Sequence, residues 1–328
     1  MKPISVVIPT ARQPAFLDYA LRSVARQSVL QDVEEVLVSE NLGDSASRAV
    51  CGRFPQLPIR YVLQDPPLTP VQNYQYVLRE SRADFIAFLC DDDWWGAGHL
   101  QAGVSALRNE DKAVAWFSAC LYSTSDVPAE GWVFRPPGLW LAAGKPDFTS
   151  PWTLDAQRLL AVCWILTPFH FSSMVLRRQP AMKALPAMIG THAYQVDRLY
   201  FTELSAGGTI LYEPLPDTFV RWREDNVTMK TERAKRDAMF RKTTGEIWSK
   251  SERRRVDLAA AWHSYLKGAE AEVLKDVGQF FRRAMDEQTL VKHGFDDFIL
   301  PSLPARALQK AARAGKAAIA RGLRRRSR

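Results

Sequence analysis

Three consecutive acids, Asp91-Asp92-Asp93, close the apolar run Phe85-Ile86-Ala87-Phe88-Leu89-Cys90. Such a run reads as a strand buried on both faces, which sets the acids together at its carboxyl edge. Carboxylates that close repel one another unless a cation offsets the charge. Their oxygens suit hard divalent ions, and Mg²⁺ or Mn²⁺ held by one or two of them completes its octahedron with diphosphate oxygens and water. A metal there stabilises a leaving nucleotide diphosphate. Taken alone, the acids are equally readable as an acidic turn or helix cap, because Asp is common after strands and before helices.

Other chemistry-bearing residues are more scattered. Cys51, Cys90, Cys120 and Cys163 form no C-x-x-C pair, which argues against a zinc site or a disulfide framework. His170 and His192 lack any H-E-x-x-H spacing and read as hydrogen-bonded structural histidines. Neither G-x-G-x-x-G nor G-x-x-x-x-G-K-[ST] occurs, which sets aside dehydrogenases and P-loop enzymes. A nucleotidyltransferase would need a glycine-rich loop after the first strand, where the chain has Ile8-Pro9-Thr10-Ala11-Arg12.

The elements that must position these groups alternate in type. Ile4 to Ile8 reads as a buried strand, and residues 14 to 27 as a helix with Pro14 in its first turn and Leu17, Leu21 and Val24 on one face. Val36 to Val38 and Ile59 to Val62 follow as strands, and Thr69 and Pro70 cap and start a helix carrying Val71, Tyr74, Val77 and Leu78. Strand Phe85 to Leu89 completes the series. This alternation predicts an α/β fold with a mostly parallel sheet covered on both faces over roughly the first 110 residues. Ligands in such sheets sit beyond the carboxyl ends of the strands. Residues 128 to 152, rich in Pro, Gly and Trp, read equally as a loop lining a binding face or as a packed connector. From about residue 230 the composition turns charged and helix-favouring, with Trp248, Leu258, Trp262, Tyr265 and Leu266 as core anchors.

In order and spacing together, Ser5-Val6-Val7-Ile8-Pro9-Thr10, the helix ending Ser23-Val24-Ala25-Arg26-Gln27, and Phe88-Leu89-Cys90-Asp91-Asp92-Asp93 resemble family 2 glycosyltransferases of the GT-A fold, the type that builds bacterial cell-surface polysaccharides. The resemblance implies a mostly parallel twisted sheet flanked by helices, spanning residues 1 to 228, with a helical C-terminal region at 229–300 and a basic tail at 301–328. It also implies that the end of the first strand, Pro9, Thr10 and Arg12, holds the nucleotide of the donor. Glu40 matches the second-strand acid that binds base or ribose, although Ser39-Glu40-Asn41-Leu42-Gly43-Asp44 departs from the usual consecutive aspartates. Asp91 and Asp92 match donor-binding positions, and Asp91 with Asp93 matches a D-x-D metal pair for Mn²⁺ or Mg²⁺. Pro70-Val71-Gln72-Asn73-Tyr74 resembles a segment near the donor phosphates, which nominates Asn73.

An inverting transfer needs a base that deprotonates the acceptor hydroxyl as the anomeric carbon is attacked, opposite a metal-held leaving group. The family places that base in a Glu-Asp pair on a helix. Gln195-Val196-Asp197-Arg198-Leu199 occupies the matching place after Ser172-Ser173-Met174-Val175-Leu176-Arg177-Arg178, so Asp197 is the candidate, without the Glu. A surface Asp paired with Arg198 is the alternative. Tyr212-Glu213-Pro214-Leu215 and Arg221-Trp222-Arg223-Glu224-Asp225-Asn226-Val227-Thr228 resemble the family's closing strand and its R-x-H-x-x-N-x-S/T segment, with Arg223 where His is common. Arg221 and Arg223 would clamp the diphosphate bidentately, or else pair with Glu224 or Asp225.

The formal charge of +8 belongs to the tail: residues 305 to 328 hold nine Lys or Arg and no acid, leaving −1 on the rest. Leu308, Ala312, Ile319 and Leu323 fall near one helical face, a weakly apolar amphipathic pattern suited to an anionic membrane surface. A solvated tail and nonspecific attraction to nucleic acid are the other readings. No spanning segment and no leader is visible, so the expectation is a cytoplasmic protein, peripheral on the inner face of the membrane. The sequence thus reads as a metal-assisted inverting glycosyltransferase acting on a nucleotide-diphosphate sugar and a saccharide or lipid-linked acceptor. A non-catalytic nucleotide-sugar-binding scaffold of the same fold is the alternative. Sugar, nucleotide and oligomeric state are not specified by any motif.

Overall fold

The computed structural model describes residues 3–43, 45–124, 131–223 and 231–295. The readings that fall on residues 224–228 and on the basic tail lie outside the described residues. The chain divides into two compact units, 1–267 and 268–328.

The first unit is built on one sheet. Its strands are β1 (Ile4–Thr10), β2 (Val33–Asn41), β3 (Ile59–Gln64), β4 (Phe85–Phe88), β5 (Trp94–Trp95), β6 (Ala113–Ser123), β7 (Trp132–Phe134), β8 (Trp152–Leu154), β9 (Met174–Arg177) and β10 (Thr209–Arg221). The spatial order is β3-β2-β1-β4-β9-β6-β10-β5, with β7 on β6 and β8 on β10. β1 runs parallel to β2 and β4, β2 parallel to β3, and β6 parallel to β10, whereas β9 is inserted antiparallel to both β4 and β6. The long strands therefore point one way, giving the mostly parallel α/β sheet expected, and the antiparallel members are short. Every residue of β1 is buried, as its continuous Ile and Val run requires of a central strand.

Helix α1 (Pro14–Ala25) buries Leu17, Ala20, Leu21 and Val24, the face that the 3.6-residue period marks, and Pro14 occupies its first turn. Helix α2 (Ser45–Cys51) precedes β3. Helix α3 (Pro70–Glu80) opens on a capping box: Thr69 Oγ1 accepts the Gln72 amide while Gln72 Oε1 accepts the Thr69 amide. That pair satisfies two orphan donors and is worth about 1 kcal/mol. Helix α4 (His99–Asn109) follows β5 and packs on β6.

The segment from 131 to 155 is a packed connector with elements of its own. β7 and β8 add to the sheet, helix α5 (Pro137–Ala142) buries Leu139 and Leu141, and Trp152 is buried. Helices α6 (Ala156–Ile165), α7 (Arg178–Ala184) and α8 (Val196–Leu204) complete this half. Arg198 on α8 is wholly buried, and its guanidinium donates to the carbonyls of Cys163, Trp164 and Phe240 and to Gln195 Oε1 and Thr244 Oγ1. It locks α8 to α6 and to helix α9 (Arg233–Arg253), because a buried guanidinium stays in place only when its donors are met.

Helix α10 (Leu258–Leu266) buries Leu258, Trp262 and Leu266, and the Trp262 indole donates to the Ala161 carbonyl at 2.9 Å. Trp164 and Trp248 pack at 5.1 Å between ring centroids. These anchors tie α9 and α10 to α6 within the first unit. In the second unit, helix α11 (Ala271–Ala284) buries Val277 and Phe281, the latter against Phe295 at 4.6 Å, and a short α12 (Glu287–Lys292) follows. No helix among the described residues is long and apolar enough to cross a membrane.

Candidate active site

The sheet gathers the predicted donor residues at one edge. Thr10 ends β1 and pairs in register with Glu40, one residue before the end of the parallel β2, and the acids 91–93 follow β4 on the other side of β1. Thr10 Oγ1 donates to Asp91 Oδ2 at 2.5 Å, a charge-assisted bond that joins the ends of β1 and β4. Pro9 precedes it within β1.

Glu40 is fully buried. Its Oε1 accepts the Arg12 amide at 2.9 Å, whereas Oε2 is buried and has no hydrogen-bond partner among the described residues. A buried carboxylate oxygen in that state is costly, and it fits a donor arriving from a ligand, such as a base N–H or ribose hydroxyl. Gly43 makes room for this side chain, since a Cβ there would lie 2.1 Å from Glu40 Cγ. Arg12 and Leu42 both adopt left-handed backbone, at φ 54° and 66°, and Arg12 Nε donates to the Leu42 carbonyl. Strained residues at two adjacent strand ends are a common mark of a ligand-shaping turn.

Asn73 is buried under this edge. Its amide nitrogen donates to the Ser39 carbonyl and its oxygen accepts the Ser39 hydroxyl. In this arrangement it braces β2 one residue before Glu40.

The three aspartates stand differently. Burial first, then the Asp92 charge, push the Asp91 carboxyl up to about 7, against the lowering bond from Thr10. Burial and the Asp93 charge likewise push Asp92 up to about 7, opposed by the nearby Arg223 and Arg221. Asp93 is the most enclosed, 1% exposed, and burial raises it to about 7 although Ser172 Oγ donates to Oδ2 at 2.5 Å and the Arg221 amide to Oδ1 at 3.1 Å. Each Asp93 oxygen keeps a second lone pair. The three desolvated carboxyls, raised at one turn, offer oxygens of the kind a hard divalent cation takes.

His170 lies beside them, Nδ1 3.4 Å from Asp93 Oδ2, and burial lowers its imidazole below the usual range, so it stands neutral. Cys90, Asp93 and His170 bring ligand atoms within 4.8 Å of one another. Sequence spacing gave no sign of this, because the contact is made through β9's antiparallel insertion rather than by a local motif.

Arg221 ends β10, where Nε reaches the Asp92 carbonyl at 3.3 Å. Its guanidinium lies over Phe16 at 4.5 Å, Trp94 at 5.2 Å and Tyr19 at 5.3 Å, and Arg223 lies over Phe16 at 4.4 Å. These rings hold two cations near the aspartates at favourable cation–π distances.

Asp197 is half-buried in the first turn of α8, where Oδ1 accepts the Arg198 amide and burial lifts its carboxyl to about 7. Its i+4 neighbour Phe201 packs on Phe169 and Phe171, the rings either side of His170. The base candidate therefore shares a helix face with the residue that meets the His170 segment.

The glycosyl transferase family 2 profile matches residues 5–181, just over half of the chain. No curated protein sequence matches. Among solved structures, S. aureus TarS 1-349 in complex with UDP-GlcNAc superposes with a TM-score of 0.54 at 14% identity, over 86% of this chain and 72% of that one. The mannosyltransferase PcManGT from Pyrobaculum calidifontis, in complex with GDP-Man and Mn2+, gives 0.53 at 16% identity over 95% and 80%. The architecture is thus that of GT-A glycosyltransferases, and, on the family profile, the chain belongs to glycosyl transferase family 2.

Proposed function

We propose that the protein is an inverting glycosyltransferase that moves a sugar from a nucleotide-diphosphate donor to a hydroxyl of a saccharide or lipid-linked acceptor. The observation that carries this reading is the convergence, at one sheet edge, of a buried Glu40 oxygen that has no hydrogen-bond partner among the described residues with the three desolvated aspartates. Nucleotide-sugar complexes of TarS and PcManGT, the latter with Mn2+, are consistent with it.

Glu40 receives a hydrogen bond from base or ribose, with Pro9, Thr10 and Arg12 shaping the nucleotide's seat and Asn73 stiffening the strand behind it. Asp91 and Asp93 would hold a Mn²⁺ or Mg²⁺ ion, with Asp92 beside them on the donor side, and such an ion would supply positive charge against the leaving diphosphate. Arg221 and Arg223 add fixed positive charge to the same leaving group. Asp197 takes the proton of the acceptor hydroxyl while that oxygen bonds to the anomeric carbon and the carbon–diphosphate bond breaks. Attack opposite the leaving group inverts the anomeric centre. A carboxyl poised near 7 suits a base working at neutral pH. The basic tail would bring the enzyme to an anionic membrane surface, on the cytoplasmic side where nucleotide sugars are used.

The test is a thermal-shift and hydrolysis screen of UDP-, GDP-, dTDP- and CMP-sugars with and without Mn²⁺ or Mg²⁺, on the native protein and on Asp91→Ala/Asp93→Ala. A metal-dependent shift with one nucleotide, lost in the double variant, supports the reading. No shift and no hydrolysis with any donor rejects it.

A further inference from the structure

Beside the carboxylates lies an aromatic group that the donor chemistry does not use. Tyr122 lies one residue before the end of β6, Trp132 begins β7 as its register partner, and Trp222 follows β10 with its amide bonded to the Ser123 carbonyl at 2.7 Å. Trp132 stacks on Tyr122 at 5.9 Å with planes 22° apart, and Trp222 meets both edge-on at 5.9 and 6.5 Å. Trp132 remains 47% exposed, an unusual state for a large indole in a three-ring cluster.

The cluster is joined to the chemistry. The His170 ring stands perpendicular to Tyr122 at 6.3 Å and contacts Asp93 through Nδ1. From α8, the helix of Asp197, Phe201 packs on Phe169 and Phe171 either side of that same His170. An exposed indole face backed by two further rings offers no cation or hydrogen-bond cradle for a phosphate or an acidic group. It suits a polyhydroxyl ring, whose axial C–H bonds lie on an aromatic face while its hydroxyls point outward to acceptors.

We propose that Trp132, backed by Tyr122 and Trp222, is the acceptor subsite, and that it stacks the apolar face of a pyranose ring so that one hydroxyl reaches Asp197. This deepens the glycosyltransferase reading and rests on it. It commits the acceptor to presenting a sugar ring at the reacting end, rather than a lipid phosphate or an open-chain polyol. Trp132 acts as a specificity-determining residue and Tyr122 as its support.

The experiment is saturation-transfer NMR of methyl glycosides of glucose, galactose, mannose and N-acetylglucosamine with the full chain, in the presence of Mn²⁺ and the nucleotide that binds. Nucleotide affinity is measured separately in each variant. The expected result is saturation of ring C–H protons on one face of at least one glycoside. In Trp132→Ala that glycoside should bind about tenfold more weakly, and in Trp132→Phe by an intermediate amount, with nucleotide affinity held within about twofold. Absence of transfer to any glycoside in the native protein, or unchanged binding in Trp132→Ala, overturns the proposal. Should Trp132→Ala lower the melting temperature, Trp222→Phe, which keeps a ring at the edge, must weaken glycoside binding without changing nucleotide affinity. Failure of the native protein to bind any nucleotide sinks the glycosyltransferase reading itself and is read on its own arm.

Discussion

The Ser172 hydroxyl donates to Asp93 Oδ2 at 2.5 Å and accepts the Cys90 amide at 3.0 Å. One side chain thereby fixes both ends of the acidic turn to the segment that enters β9. Removing it leaves a buried carboxylate oxygen short of a donor, at a cost of about 1–3 kcal/mol. Ser172→Ala should lower the melting temperature and weaken Mn²⁺-dependent stabilisation together. Thermal unfolding with and without the metal reads both, and an unchanged metal response would mean that Asp93 plays no part in cation binding.

Gly43→Ala tests the seat of Glu40. The added Cβ would meet Glu40 Cγ at 2.1 Å in a fully buried setting, so the carboxylate must move. Nucleotide affinity should fall about tenfold or more, while the fold, which does not rely on that carboxylate's second oxygen, stays intact. Calorimetric titration of the nucleotide beside circular dichroism separates these. Full affinity in the variant would remove Glu40 from donor recognition.

Asp197→Asn should reduce transfer by about 10² to 10⁴ while leaving donor binding nearly unchanged. In the native enzyme the base works only when ionised, and its carboxyl sits at about 7. The rate should therefore fall as pH drops through 7, and the residual rate of the variant should lose that limb. A variant profile with the same limb would assign the titration to another group.

Much of this was legible in the chain. The continuous apolar runs gave β1 and β4, the capping residues Thr69 and Pro70 gave the start of α3, and the acids fell at the carboxyl edge because a buried strand leaves them nowhere else. What local pattern could not carry was pairing at long range. β9's antiparallel insertion brings His170 and Ser172 to Asp93 across 77 and 79 residues of sequence, and no spacing rule encodes it. The Trp-rich stretch failed similarly: β7 and β8 are three residues each, too short for periodicity, and they exist because β6 and β10 offer edges to pair with. Arg198, beside the base candidate, reads in the sequence as a surface cation, whereas it is the buried clamp of α8.

The raised carboxyls make a stability prediction whose sign runs against the usual acid denaturation. Asp91, Asp92, Asp93 and Asp197 sit at about 7 in the folded protein, and an unfolded Asp titrates near 3.8. Between those values the folded state binds more protons than the unfolded one, so their contribution to stability declines as pH rises from about 4 to about 7. Without metal, the melting temperature should fall across that window, and Asp92→Asn, which cannot ionise and relieves its neighbours, should flatten the slope. Mn²⁺ binds the ionised carboxylates, so the stabilisation it gives should grow over the same range and be largest above pH 7. Scanning unfolding at pH 5, 6, 7 and 8 with and without Mn²⁺ measures both slopes. A metal effect as large at pH 5 as at pH 8 would place the cation away from these aspartates.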